Sequence, residues 1–124
     1  MRSMLTLATA LLVAASPASA QQTSQAAGPT ALQLMELCLK GANGDTITDP
    51  VCTGYLAGFI GAVRIARTVT DDFPICLPEQ GLSNGRVVAE LSDFLEKNES
   101  NLQRSARSVV FLVLTERFPC PAGK

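Results

Sequence analysis

An all-α fold, a small antiparallel bundle of four main helices stapled by two disulfides, follows from three features of this sequence. Apolar residues recur at three- and four-residue spacing in four separate segments. Capping residues stand immediately before three of those segments, and Asp49 is followed by Pro50 at the first helical position. Four cysteines, Cys38, Cys52, Cys76 and Cys120, all lie beyond an export leader. The period-2 alternation of strands is missing. Only the apolar run within 107–113 could pass for a buried strand, and its flanks keep the helical period.

The chain opens with Arg2, a short apolar run from Leu5 to Ala15, and Ala18-Ser19-Ala20. That is the pattern of a secretory signal peptide over residues 1–20, cleaved near Ala20. The run falls short of the roughly 20 residues a membrane span needs, so periplasmic or secreted localisation is expected, with no membrane span. Residues 21–30 are small and polar and predict a flexible leader. Without Arg2 the net charge is −2, a balance that favours neither nucleic acid nor an anionic surface. About 100 mature residues make one domain, over 31–124, with a modest core.

Thr30 caps a first helix from Ala31 to about Lys40, with Ala31, Leu34, Met35, Cys38 and Leu39 on one buried face, and Gly41 stops it. The second helix runs from Pro50 to about Val69, with Cys52, Tyr55, Leu56, Phe59, Val63 and Ala66 on one face. Asp71 to Pro74 end it, and an extended crossing carries Cys76. Ser83 caps a third helix with Val87, Val88, Leu91, Phe94 and Leu95 inward. Asn98 or Ser100 restarts the chain, and Ser100 with Gln103 matches a capping box. The fourth helix then buries Leu102, Ala106, Val109, Val110, Val113 and Leu114, until Pro119 closes it.

Short connectors make neighbouring helices antiparallel. That places Cys38 beside Cys52, and Cys76 beside Cys120; the other two pairings remain open at this level. A metal site is disfavoured: histidine is absent, and the cysteine spacings of 14, 24 and 44 contain no close pair. Serine or cysteine hydrolysis lacks its base, and Asp71-Asp72, Glu90 and Asp93 have the pattern of solvated surface acids. No catalytic residue, cofactor or metal is expected.

Two features remain. Gly54, Gly58 and Gly61 lie opposite the core stripe of the second helix, although each costs about 1 kcal/mol relative to alanine. Bare backbone at that spacing admits a close neighbour, either another helix of the domain or a second subunit or partner. On the fourth helix Phe111 lies opposite the core stripe, flanked by Arg104 and Arg107. An aromatic among arginines has the composition of an interface anchor, so these three are the candidate partner-binding residues.

The stretches Leu37-Cys38-Leu39, Cys52-x-Gly54-Tyr55-x-x-Gly58, Cys76-x-Pro78 and Phe118-Pro119-Cys120, in this order, resemble the Rap/Tai-type immunity proteins that accompany type VI secretion systems. Arg86 and Asn98-Glu99 depart from the pattern. The resemblance implies a helical, disulfide-bonded and often homodimeric periplasmic domain without enzymatic activity. It implies binding to a cognate peptidoglycan amidase effector and occlusion of its cleft. Gly54, Tyr55, Gly58, Pro78 and Phe118 carry over as framework residues with the cysteines, and no toxin-contacting residue transfers. The rival readings are a small periplasmic stress protein or acid-activated holdase, and a helical subunit of an envelope complex.

Overall fold

A computed structural model describes residues 28–122. The expected signal peptide, most of the expected leader and residues 123–124 lie outside the described residues. Among the described residues four α-helices form: α1 (Ala31–Leu39), α2 (Pro50–Val69), α3 (Asn84–Lys97) and α4 (Ala106–Arg117), with a 3-10 turn at Glu99–Asn101. Among the described residues β pairing is confined to isolated bridges. The all-α bundle is the observed architecture.

The helix starts show why these residues fold as they do. Thr30 Oγ1 accepts the Gln33 N–H at 3.2 Å while Gln33 Oε1 accepts the Thr30 N–H at 2.9 Å, a complete capping box. Asp49 Oδ1 takes the N–H groups of Val51 and Cys52, both at 2.9 Å, ahead of a helix led by proline. Ser83 Oγ accepts from Arg86 N at 3.1 Å.

The start of α4 corrects the expectation from sequence. The Ser100–Gln103 capping box does not form, and Leu102 and Arg104 lie outside the helix, which begins at Ala106. Tertiary bonding decides this. Ala31 N–H donates to Arg104 O and Leu32 N–H to Leu102 O, both at 2.9 Å. Segment 102–105 therefore satisfies donors at the α1 N-terminus that have no partner within their own helix. In return, Ala106 N–H donates to Pro29 O at 2.9 Å.

The core is apolar throughout. Leu34, Leu56, Leu91, Val113 and Leu114 are almost fully buried, and Ile75 from the α2–α3 connector joins them. On α2 the buried residues are Cys52, Leu56, Ile60 and Val63; Tyr55, Phe59 and Ala66, expected inward, are half-buried, and Leu39 at the end of α1, also expected inward, is exposed. α4 packs on α1 and α3, and α2 packs on the same two helices. Cys38 pairs with Cys52 and Cys76 with Cys120, with Cα separations of 5.1 and 4.8 Å.

The acids of α3 are more engaged than solvated surface charge. Glu90 bridges Arg86 at 2.8 Å and Arg117 of α4 at 3.1 Å; Asp93 bridges Lys97 at 2.8 Å and Arg117 at 2.7 Å. The Lys97 hydrogen bond is the main influence on the Asp93 carboxyl. With the Lys97 and Arg117 charges it outweighs desolvation and holds the group below its ordinary value of 3.8. A depressed folded value means the contribution is present above that ordinary value and is lost as pH falls through the folded one. Urea titrations of wild type and Asp93→Asn should therefore differ by a constant amount near pH 6 and converge below about pH 4. A gap that persists at the acid end would dissociate Asp93 from the acid limb.

Candidate partner-binding surface

Arg107 and Phe111, one turn apart, share a face of α4. Phe111 is 40 % exposed and meets Phe73 edge-on, with ring centroids 6.1 Å apart and planes at 78°. Phe73 comes from the connector after α2, which Arg67 holds in place: its Nη1 donates to Asp71 O at 2.9 Å and to Phe73 O at 3.2 Å. Tyr55 of α2 stands within electrostatic reach of Arg107. Burial pushes its hydroxyl above the ordinary 10.0, and the Arg107 charge opposes that shift. The structure thus couples Phe111 to Phe73 and Arg107 to Tyr55, across three parts of the chain. Leu112, 37 % exposed, follows Phe111 on the same helix.

Arg104 does not share this helix face. It lies in the turn before α4, its Nη1 donating to Asn101 Oδ1 at 2.9 Å. Phe73 is the member that sequence reasoning missed. The available signal was an aromatic residue directly ahead of a buried, cysteine-bearing crossing, taken only as a helix end.

Pro78 and Phe118, expected as framework residues, each accept a backbone hydrogen bond near the second disulfide. Cys76 N–H donates to Phe118 O at 2.8 Å, Cys120 N–H to Pro74 O at 3.1 Å, and Gly81 N–H to Pro78 O at 3.1 Å. Pro78 and Phe118 line an open cleft of about 710 Å3 with Asp45, Ser83 and Arg86. No group of three or more metal-capable side chains forms among the described residues, and none of their helices is long and apolar enough to cross a membrane.

Residues 30–120, from the α1 cap to the last cysteine, match the family model of the Rap1a immunity proteins. The chain belongs to this family. No curated protein and no solved structure matches it.

In this Rap1a family member the surroundings of the α2 glycines bear on the two readings left open above. A Cβ added at Gly54, Gly58 or Gly61 would meet nothing within 4 Å, so among the described residues no other helix packs against them. They belong to an outward face that also carries Ala57, Ile65 and Thr68, with Val51 and Val69 at its margins. Ile65 is 66 % and Val69 79 % exposed. The helical glycine that does admit a close neighbour is Gly85 in the first turn of α3. A Cβ there would lie 2.7 Å from both the Cα and the carbonyl carbon of Asp45.

Proposed function

We propose that this Rap1a immunity protein works in the periplasm as a non-enzymatic inhibitor. It binds a cognate peptidoglycan amidase delivered by type VI secretion and blocks the amidase cleft with the surface around Phe111 and Arg107. Family membership supports an effector-binding role. The observation that carries the choice of surface is the partly exposed Phe111 ring, braced by Phe73 beside the Arg107–Tyr55 pair. A braced aromatic next to a cation supplies area at low entropic expense, as interface anchors do. Phe111→Asp should weaken effector binding by about 2 kcal/mol, or roughly 30-fold in Kd, while leaving the melting temperature nearly unchanged. Calorimetry against a purified amidase panel checks it, and undiminished affinity would move the contact elsewhere.

The same protein is proposed to be a homodimer built on the outward face of α2. That face runs from Val51 to Val69 without a charged residue at its centre, and its glycines let a second backbone approach closely. Ile65→Glu should convert the dimer to a folded monomer in sedimentation velocity. A dimer unaffected by Ile65→Glu would rule this face out.

A further inference from the structure

The two disulfides differ in what surrounds them. Cys38 and Cys52 are both 0 % exposed, sealed between α1 and α2. Cys76 and Cys120 are only half-buried, where the C-terminal segment meets the α2–α3 connector. An attacking thiolate needs access to sulfur, so the second bond is the reachable one.

That bond also stands next to the aromatic surface. Ile75 and Pro119 form an antiparallel bridge beside it. Cys120 Sγ lies 3.3 Å from the carbonyl oxygen of Phe73. Phe73, three residues ahead of Cys76, is the ring that braces Phe111. Disulfide, connector and braced ring form one continuous set of contacts.

We propose that Cys76–Cys120 is a redox clasp on the aromatic surface. With the bond formed, Phe73 is held against Phe111 and the surface has its binding shape. With the bond reduced, the 71–76 connector is released and the surface comes apart, while Cys38–Cys52 keeps the helical core folded. The chemistry is thiol–disulfide exchange with a dithiol. Its thiolate attacks one sulfur of the pair, and the other sulfur leaves as a thiolate and takes up a proton. The second thiol of the reductant then resolves the mixed disulfide. The protein gains two electrons and two protons and ends as two thiols; the reductant ends as a disulfide. Reducing compartments keep such a pair open and oxidising ones close it, so the chain acquires its binding surface on export. The assignment of effector binding to this surface rests on the function proposed above, whereas the coupling of clasp to connector stands without it.

Timed alkylation with mass spectrometry during dithiothreitol treatment of the folded, oxidised protein reads the order of opening. Cys76–Cys120 should open about tenfold or more faster than Cys38–Cys52. Hydrogen exchange on the singly reduced species should then show about tenfold or greater loss of protection across 71–76 and 118–120, with Val110 and Val113 unchanged. Cys76→Ala/Cys120→Ala gives the same measurement without reductant. Simultaneous opening of both bonds, or an unchanged connector, overturns the clasp. An oxidised Phe111→Asp protein that still binds the amidase fails the functional reading and leaves the exchange result standing. Singly reduced wild type binding as tightly as oxidised protein overturns the gate.

Discussion

Cys38→Ala/Cys52→Ala is expected to lower the unfolding free energy by about 5 kcal/mol, most of what a domain this small has to lose. Two contributions add. Opening a loop of 14 residues restores chain entropy worth about 3 kcal/mol. The two sulfurs are fully buried, so their loss also leaves a void between α1 and α2, at about 1 kcal/mol each. The other pair closes 44 residues, and its entropic contribution alone is larger by about 1 kcal/mol. Burial reverses that order, because half-exposed Cys76 and Cys120 leave little cavity when truncated. Urea midpoints of the two double-alanine proteins check the ranking. A Cys38/Cys52 variant losing less than its Cys76/Cys120 counterpart would mean that the α1–α2 junction collapses to fill the void.

Local signals were enough wherever the deciding interactions were local. Asp49 and Pro50 mark the start of α2 because the carboxylate reaches amides two and three residues ahead, so sequence alone places it. The same holds for Thr30 and Ser83. The disulfide pairing was legible because short connectors leave few ways to arrange helix ends. The start of α4 was not. Asn98 and Ser100 are both plausible caps, but the helix begins after Ser105, and the choice is made by α1, which takes the carbonyls of Leu102 and Arg104. The candidate surface divides in the same way. Phe111 and Arg107 stand out because they fall off the core stripe at helical spacing. Phe73 does not, because its contact depends on how the connector is laid across the fold. The glycines illustrate the limit most sharply. A helical glycine signals missing bulk, but the sequence does not say whether anything occupies the space.

Gly85→Ala and Gly58→Ala should therefore move stability in opposite directions. At Gly85 the added methyl group would overlap the Asp45 backbone, 2.7 Å from its Cα. That loop cannot yield easily. Asn43 and Thr46 exchange backbone hydrogen bonds across it at 3.0 and 3.1 Å, and Thr48 Oγ1 donates to Gly41 O at 3.1 Å. Overpacking of this kind costs about 1–3 kcal/mol, and backbone overlap puts Gly85 at the upper end. At roughly 4–8 °C per kcal/mol for a domain of this size, the net cost of about 2 kcal/mol should lower the melting temperature by about 8–16 °C. The helix-propensity gain of about 1 kcal/mol offsets part of the cost without reversing its sign. At Gly58 the methyl group meets open space, so the propensity gain stands alone and the monomer should gain up to about 1 kcal/mol. If two copies meet across α2, however, that methyl group enters the contact, and association should weaken as the monomer becomes more stable. Thermal melts at dilute concentration and sedimentation of the same Gly58→Ala sample separate the two effects. A more stable monomer with unchanged association would remove α2 from the dimer contact, and a neutral Gly85→Ala would show that the loop at Asp45 can move aside.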